Sequence, residues 1–360
     1  MQRAVASKAL PRARVVFSGI QPTGVPHLGN YVGALRQWLR LQHQEKPDTK
    51  LIYSIVDLHA ITVPQNPERL RRHKREALAA LLAIGIDPDR CTLFYQSSVG
   101  PGALGAHVDS LLHGIRRLPI EDDAVEAPDA QQKLSLSPSS HIEDQPVSSR
   151  LKLGLFAYPV LQAADVLVHR ATHVPVGHDQ AQHLEFAREC ATNFNHAYGP
   201  CLVQPETMIP PVHRIMSLTD PTSKMSKSHK SERSRILITD TPDEIRAKIS
   251  SALTDSHAGI SYDMATRPGI SNLLDILSIF DAQQRTPAEL ANAYSQTHPR
   301  EFKGMVADSV TQGLHGIRSR FLELLDSDST YLDYVEAQGA RKARENAEET
   351  MELVRSAVGL

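Results

Sequence analysis

Short apolar runs alternate with longer amphipathic stretches over the first part of the chain. A short apolar run between turn residues is typical of a buried strand, and a longer amphipathic stretch is typical of a helix. The pattern predicts strands at Val15 to Ser18, Leu51 to Val56 and Thr92 to Gln96, and helices at His27 to Gln42 and Pro67 to Ala83. This alternation favours an α/β fold with a doubly wound parallel sheet (Rossmann-like), in which ligands bind at the carboxyl ends of the strands.

The pattern changes to helices alone beyond about Ile236. Thr241 to Glu244 and Thr286 to Glu289 each place a hydroxyl at the N-cap, Pro at the first helical position and Glu at the third, which is a capping box. Further helices are predicted at Ser271 to Phe280, Glu301 to Leu325 and Tyr331 to Val358. We therefore expect an α/β domain over residues 15–235, irregular over 99–149, and an all-α domain over 236–360.

Composition narrows the class of protein. The chain has 360 residues, 41% of them hydrophobic, and a formal net charge of −2, so a polyanion would be bound only through local basic patches. No apolar run approaches the roughly 18 residues that span a bilayer, and no membrane association is expected. The three cysteines, Cys91, Cys190 and Cys201, form no C-x-x-C pair, which favours a reducing compartment and no cysteine-based zinc site.

The amino terminus is basic. Residues 1–14 contain Arg3, Lys8, Arg12 and Arg14, and the first acidic residue of the chain is Glu45. This composition is typical of a transit peptide and predicts a mitochondrial matrix protein, while a basic tail on a cytoplasmic protein is the alternative.

Two separated motifs suggest phosphate chemistry. The turn from Gly19 to Gly24, followed by His27-Leu28-Gly29-Asn30, lies between a predicted strand and a helix, where backbone N–H groups favour phosphates. His27 could donate a hydrogen bond to a leaving phosphate. Lys224-Met225-Ser226-Lys227-Ser228 lies in a polar segment much later in the chain, and its lysines and hydroxyls could clamp a triphosphate. The pair is more specific than either motif alone.

These motifs resemble the two signature motifs of class I aminoacyl-tRNA synthetases. The stretches that resemble the tryptophan-specific branch of that family are Phe17 to Asn30, Ile55 to Val63, Phe156 to Gln180 and Ile215 to Ser228. The resemblance implies ATP and L-tryptophan as substrates, Mg²⁺ as a cofactor, tRNA(Trp) as the partner, a homodimer, and a C-terminal domain that reads the anticodon.

Site residues follow from the resemblance, position by position. It implies that His27, Lys224 and Lys227 are catalytic and that Asp165 accepts a hydrogen bond from the indole N–H. The expected ATP-binding residues are Gln21, Pro22, Thr23, Gly29, Asn30, Gly177, His178, Asp179, Ile215, Lys224, Met225, Ser226, Lys227 and Ser228. The expected tryptophan-binding residues are Phe17, Gly19, His59, Tyr158, Gln162, Asp165, Val174, Val176 and Gln180. No metal is expected to be held by protein ligands alone.

Two positions depart from the family pattern. The family usually has Glu where this chain has His178, and a histidine there replaces an acceptor by a group that can donate, which predicts altered adenosine affinity. After Ser228 the family commonly continues with Asp-Pro, whereas this chain has His229 and Lys230. The shape of the loop that carries the second motif is therefore expected to differ.

The sequence also leaves three further classes of protein open. Gly100 to Gly105 fits a G-x-G-x-x-G fingerprint and would support an NAD-dependent dehydrogenase, although Pro101 is unsuited to that turn. A tyrosyl-tRNA synthetase is the second class, and a catalytically impaired RNA-binding relative is the third.

We interpret the evenly spaced histidines as surface or core residues rather than metal ligands, and the basic residues of the helix from Pro67 as a solvated face. The residues in question are His169, His173, His178 and His183, and Arg71, Arg72, Lys74 and Arg75.

One segment matches nothing in the family. Val99 to Ser149 is rich in Pro, Gly, Ser and Asp, and beyond Ile120 it is typical of a loop of roughly thirty residues, which is unusual in a compact domain. Within it, Gly100 to Asp129 stands where the family has a helix that supplies dimer contacts and part of the pocket wall. Codons can be chosen for Ala103 to Ala127 that, read one base later, encode HSELMWILSSTASVGYLSRMTQWK, which resembles the missing helix. We hypothesise that this stretch results from a reading-frame error.

Overall fold

The structure is a computed structural model that describes residues 13–99, 153–177, 180–209, 214–326 and 330–360. Three predictions from the sequence fall outside these ranges: the frame hypothesis for Gly100 to Asp129, the glycine fingerprint within it, and the ATP-site assignments of His178 and Asp179. The basic stretch that resembles a transit peptide is outside as well, except for its last two residues.

A parallel five-stranded sheet forms the centre of the described fold, with the strand order β3-β2-β1-β4-β5. Its strands are β1 Val15–Ile20, β2 Lys50–Ile55, β3 Thr92–Tyr95, β4 His173–Pro175 and β5 Glu206–Met208. β1 lies in the middle of the sheet, since Val16 pairs with Leu51 on one side and with His173 on the other. The first four residues of β1 are accordingly all buried. The predicted doubly wound α/β fold is confirmed, and its strand order reverses beside β1, where such folds bind ligands.

Helices flank the sheet. They are α1 Leu28–Asn30, α2 Arg36–Gln44, α3 Asp57–Ala60, α4 Pro67–Ala83, α5 Leu153–Val168 and α6 Ala181–Tyr198. A π-helical turn, Tyr31–Leu35, joins α1 to α2, so the predicted amphipathic helix contains one wider turn. Trp38 on α2 packs against the sheet, where its ring stacks on Tyr53 with 4.3 Å between the centroids.

The last third is helical, as predicted. Its helices are α7 Pro242–Ser250, α8 Pro268–Phe280, α9 Pro287–Ala293, α10 Pro299–Gly313, α11 Ile317–Asp326 and α12 Thr330–Val358. Both predicted capping boxes are confirmed, at Thr241 and Thr286. The stretch predicted as one helix from Glu301 to Leu325 forms two helices, because Gly316 adopts a φ of +81° that ends the helical path.

The helical part packs directly on the sheet. Gly339 of α12 lies so close to β3 that a Cβ atom there would be 1.7 Å from the carbonyl oxygen of Leu93. One continuous apolar core runs from Val16 in the sheet to Val335 in α12. Among the residues described, no helix combines the length and apolar character needed to cross a membrane.

Candidate functional site

The first motif follows β1 directly and opens α1. His27 is the N-cap of α1: its Nδ1 accepts a hydrogen bond from the backbone N–H of Asn30 at 3.3 Å, and the Asn30 Oδ1 accepts one from the N–H of His27 at 3.2 Å. This reciprocal pair holds the imidazole still. Gly29 makes room for it, since a Cβ atom at position 29 would lie 2.9 Å from the His27 ring.

The hydrogen bond at Nδ1 assigns the neutral tautomer of His27 that carries its proton on Nε2. Burial, and after it the nearby charges of Lys227 and Lys224, lower the pKa of His27 to about 4. At neutral pH His27 is therefore an uncharged hydrogen-bond donor rather than an acid.

The second motif is held by a short antiparallel pairing. Met216 pairs with Lys224, the N–H of Met225 donates to the carbonyl oxygen of Ile215 at 3.1 Å, and the Met225 side chain is buried. The buried methionine anchors the loop, which leaves Lys224 exposed and places Lys227 beyond the anchor. Ser226 and Ser228 bond to each other through their hydroxyls at 2.8 Å.

Lys227 joins the two motifs. Its ammonium group donates to the carbonyl oxygens of Thr23 at 3.2 Å and Gly24 at 2.8 Å, and contacts the Thr23 hydroxyl at 3.1 Å. Burial lowers the pKa of Lys227 to about 8, against the opposing charge of Glu76. A cavity opens around this contact, and its walls include Ile20, Gln21, Thr23, Gly24, Pro26, Asn30, Ala77, Leu81 and Lys227.

Four of the predicted ATP-site residues, Gln21, Thr23, Asn30 and Lys227, line this cleft. Pro22 is buried and anchors the turn after β1, while the side chains of Gln21 and Thr23 on either side of it are exposed. Gly177 lies after β4, where its carbonyl oxygen accepts a hydrogen bond from the N–H of Gln180 at 3.0 Å.

The helical part of the chain holds both motifs in place, which the sequence did not reveal. Asn272, buried on α8, accepts a hydrogen bond from the N–H of Met216 at 2.9 Å and donates to its carbonyl oxygen at 3.1 Å. The backbone carbonyl of Ile236 accepts a hydrogen bond from the N–H of Leu28 at 2.7 Å. A buried polar residue in an otherwise apolar helix, as at Asn272, is the signal that could have indicated such an anchor.

A second group of polar residues surrounds Asp165 on α5. His59 approaches the Asp165 Oδ2 through Nε2 at 3.0 Å, and Gln96 donates to the same oxygen through Nε2 at 2.6 Å. All three side chains are buried. His59 follows β2 and Gln96 follows β3, so this group lies at the same edge of the sheet as the first motif.

Aromatic and amide groups extend this cluster. Tyr158 meets His59 edge to face at 5.3 Å between ring centroids, and its hydroxyl donates to the Gln180 Oε1. Gln162 Oε1 and His59 Nδ1 are buried and have no hydrogen-bond partner among the residues that the structure describes. Buried polar atoms of this kind are expected to find partners in a ligand.

The apolar residues predicted for the tryptophan pocket lie beside the sheet. Phe17 and Val174 are buried in one apolar cluster, against which Val176 packs, and the Phe17 ring stacks on His169 at 5.5 Å. Gly19 is close-packed, since a Cβ atom there would lie 2.9 Å from Val56. These residues therefore pack beneath the carboxyl edge of the sheet, where the Asp165 cluster also lies.

Among the four spaced histidines, those within the described ranges occupy separate places. His169 is a core residue that contacts Asn346 at 2.8 Å, and burial lowers its pKa. His173 lies near Glu206, and His183 contacts Gln180. In the part of the chain that the structure describes, no group of three His, Cys, Asp or Glu side chains could hold a metal ion.

The basic face of α4 is partly structural, which corrects its interpretation as a solvated face. Lys74 forms a 2.6 Å ion pair with the buried Asp57 and lies over the ring of Tyr95, and Arg75 pairs with Asp333 at 2.8 Å. Arg71 and Arg72 are exposed, as expected.

The doubly wound sheet and the two phosphate motifs at its edge define a class I aminoacyl-tRNA synthetase. Residues 11–315 match the family model of class I tRNA synthetases (W and Y), and the chain belongs to that family. The mitochondrial tryptophan–tRNA ligase of Schizosaccharomyces pombe is 39% identical over 98% of this chain and 96% of its own. The tryptophan–tRNA ligase of Bacillus subtilis is 39% identical over 96% of this chain and 98% of its own.

Solved structures agree with the sequence relatives. The tryptophanyl-tRNA synthetase of Campylobacter jejuni, complexed with ADP and tryptophan, has a TM-score of 0.71 and 30% identity, covering 96% of this chain and 100% of its own. The tryptophanyl-tRNA synthetase of Mycoplasma pneumoniae has a TM-score of 0.75 and 28% identity, covering 96% of this chain and 98% of its own.

Proposed function

We propose that this chain ligates L-tryptophan to tRNA(Trp) at the expense of ATP, through a tryptophanyl-adenylate. The observation that carries the proposal is the buried carboxylate of Asp165, held through one oxygen by His59 and Gln96 at the sheet edge that also carries the first phosphate motif. Relatives that match nearly the whole chain are named tryptophan–tRNA ligases. An NAD-dependent dehydrogenase would use the glycine fingerprint at Gly100 to Gly105 to bind its cofactor. The chain instead matches the class I tRNA synthetase family over residues 11–315, so the dehydrogenase alternative is not favoured.

The reaction has two transfers. The tryptophan carboxylate attacks the α-phosphorus of ATP, forming a C–O–P linkage while pyrophosphate leaves; the terminal ribose hydroxyl of tRNA then takes the acyl group, and AMP leaves. Lys227 would exchange its bonds to Thr23 and Gly24 for phosphate oxygens, because its ammonium already lies at that end of the cleft. His27 would donate through Nε2–H without adding charge, and Lys224, exposed on the same loop as Lys227, would meet the outer phosphates.

The remaining predicted residues would bind the two substrates. We assign the residues around the Lys227 cleft to ATP, together with Gly177, His178, Asp179 and the segment from Ile215 to Ser228. The residues around Asp165 and the sheet edge below them would hold tryptophan. Mg²⁺ would arrive as the counter-ion of the ATP phosphates, since ions of this kind are usually bound through phosphates and one or two carboxylates.

Specificity would come from Asp165. An ionised carboxylate only accepts hydrogen bonds, so a side chain that donates at the right place is favoured, and phenylalanine would leave the charge unpaired. Tyrosine has a donor too, but at the end of a longer and narrower side chain. We therefore favour tryptophan over tyrosine as the substrate, as do the names of the relatives.

The proposal includes the oligomeric state, the roles of the two domains and the cellular compartment. We infer from the family resemblance a homodimer for the frame-restored chain, residues 15–235 as the catalytic domain, and residues 236–360 as the domain that binds the anticodon. The mitochondrial relatives and the basic composition of residues 1–14 support a place in mitochondria, in the matrix where translation would use the product.

Asp165→Ala tests the pocket assignment. A hydrogen bond to a charged group contributes roughly 1.5–3 kcal/mol, so tryptophan KM should rise about tenfold to a hundredfold. Amino-acid-dependent ATP–pyrophosphate exchange measures KM for tryptophan, tyrosine and phenylalanine in turn. Asp243→Ala, which changes an exposed aspartate on α7, is the matched control and should behave as wild type. Unchanged selectivity in Asp165→Ala would remove this residue from the pocket.

A further inference from the structure

Gln96 occupies a fixed position at the end of β3. It is 2% exposed, and its Oε1 accepts hydrogen bonds from the backbone N–H groups of Leu58 at 3.0 Å and His59 at 3.3 Å. Backbone N–H groups can only donate, so the amide oxygen must face them and the amide nitrogen must face the other way. The orientation of the Gln96 amide is thereby decided by its surroundings.

The amide nitrogen points to Asp165. It donates to Oδ2 at 2.6 Å, the oxygen that His59 Nε2 also approaches at 3.0 Å. Oδ1 of Asp165 has no hydrogen bond to any residue that the structure describes. Two donors on one oxygen restrict rotation of the carboxylate and leave the other oxygen available to a ligand.

Gln96 fixes the position of both hydrogen-bond donors to Asp165, which are its own amide nitrogen and His59 Nε2. Its oxygen holds the backbone of His59, while its nitrogen holds Asp165 directly, so one side chain connects the ends of β2 and β3 to α5. A glutamine that only filled space or joined two loops would not need a donor aimed at a buried carboxylate.

We infer that Gln96 is a positioning residue for amino-acid specificity: it orients Asp165 so that the free oxygen accepts the indole N–H of the substrate. The inference rests on the proposed function, because it assigns Asp165 to the tryptophan pocket. It adds a residue that neither the two signature motifs nor the predicted pocket includes.

The test compares tryptophan with 3-(benzothiophen-3-yl)alanine, in which sulfur replaces the indole N–H. Gln96→Met keeps the length of the side chain but removes its donor and acceptor. We expect its KM for tryptophan to rise roughly tenfold or more, as for loss of a charged hydrogen bond, and its preference for tryptophan over the analogue to fall by a similar factor. The KM for ATP should stay within about twofold of the wild-type value.

Gln42→Met is the matched control. Gln42 also bridges backbone groups, accepting from the N–H of Asp87 at 2.8 Å and donating to the carbonyl oxygen of Gly85 at 3.0 Å, but it lies away from Asp165. This variant should lose stability without changing the preference for tryptophan over the analogue.

Gln96→Glu supplies a second readout if Gln96→Met folds poorly. The introduced carboxyl can still accept from Leu58 and His59, and when protonated it can donate to Asp165 as the amide does. The like charge of Asp165 raises the pKa of the introduced carboxyl. Among the residues that the structure describes, the other charged or titratable groups near it are His59, the Asp57–Lys74 pair at Ser97, and Arg344, which donates to the carbonyl oxygen of Ser98. Its KM for tryptophan, relative to wild type at each pH, should rise as pH increases.

The outcomes separate two failures. A wild-type chain without tryptophan-dependent exchange would overturn the proposed function itself. An active wild type, together with a Gln96→Met variant that keeps full preference for tryptophan or a Gln96→Glu variant that follows the wild-type pH profile, would overturn the role of Gln96 alone.

Discussion

At the scale of single residues, the proposed chemistry depends on two side chains whose charge is set mainly by burial. His27 is neutral at physiological pH because its pKa is lowered to about 4, and Lys227 keeps its charge only below a pKa of about 8. Lys227 lines the cleft between the motifs, and His27 lies near enough to Lys227 for that charge to help lower its pKa. A neutral donor and a cation can then stabilise the same developing phosphate charge without repelling each other.

Lys227→Ala should lower the rate of adenylate formation by about two to three orders of magnitude, the usual effect of removing one group that stabilises a transition state. Tryptophan KM should change little, because Lys227 contacts the phosphate side of the cleft. Single-turnover pyrophosphate release measures the rate. Lys230→Ala, which changes an exposed lysine after the same loop, should leave the rate intact, and equal loss in both variants would contradict a specific role.

The pH dependence of the wild type gives an independent check on Lys227. Its pKa is lowered, so the cation is present below about pH 8 and is lost as pH rises through that value. kcat/KM for ATP should therefore fall at alkaline pH, by about tenfold per unit for a single ionisation. Lys227→Arg should move this fall to higher pH, because guanidinium stays charged. A flat wild-type profile to about pH 9.5 would contradict the assignment.

Individual residues also show where sequence reasoning ends. His27 and Lys227 could be selected as candidates from the sequence because their neighbours along the chain form recognisable motifs. Gln96 and Asn272 could not, since their partners lie 69 and 56 residues away and only folding brings them together. Nothing local to either residue indicates which buried group it will meet.

At the scale of secondary-structure elements, the helices of the last third anchor the second motif. α8 holds Met216 through Asn272, and the N–H of Leu253, just after α7, donates to the carbonyl oxygen of Leu218 at 2.8 Å. The loop that carries Lys227 is thus fixed at its base while its tip reaches the first motif. These hydrogen bonds therefore link the position of the helical region to the position of the loop that carries Lys227.

Asn272→Ala tests this anchor. It leaves the buried N–H and carbonyl of Met216 without their partners, which should loosen the loop and raise the KM for ATP several-fold, with a smaller effect on tryptophan KM. Thr286→Ala, which removes a helix cap on α9, should cost about 1 kcal/mol of stability without affecting either KM. Steady-state exchange kinetics and thermal unfolding of both variants make the comparison. Equal KM values in both variants would contradict the anchoring role.

Elements differ in how well the sequence predicts them. The strand β1, the helix α4 and both capping boxes are predicted correctly because local patterns and caps determine them. The break at Gly316 and the π-helical turn after α1 are not, because a glycine or a wider turn within an apolar pattern does not by itself mark a departure from the α-helix.

At the scale of the whole molecule, the sheet and the helices share one core. β3 meets α12 at Gly339, and the core residues of the last third continue those of the sheet. The two predicted domains are therefore in direct contact at this point. The fold class followed from the alternation of patterns along the chain, but this contact did not, because it joins residues more than two hundred positions apart.

The frame hypothesis makes a prediction for the assembly. Replacing Ala103 to Ala127 by the shifted string would supply Met, Trp, Ile and Leu at helical spacing, enough apolar surface for a dimer interface of about 1,000 Å² or more. We expect this variant to be a homodimer of higher activity, and the written sequence to be monomeric or aggregation-prone with little activity, low but still measurable by pyrophosphate exchange and tRNA charging. Light scattering and pyrophosphate exchange compare the two, and equal mass and equal activity would show that the replacement is unnecessary.

The central claim is tested most directly by aminoacylation of tRNA(Trp) with the purified protein, with tryptophan and tyrosine offered separately and then together. We predict ATP-dependent charging of tRNA(Trp) with tryptophan, no charging with tyrosine, and no charging of tRNA(Tyr) with either. Charging of tRNA(Tyr) with tyrosine, or formation of tyrosyl-adenylate in preference to tryptophanyl-adenylate, would contradict the assignment.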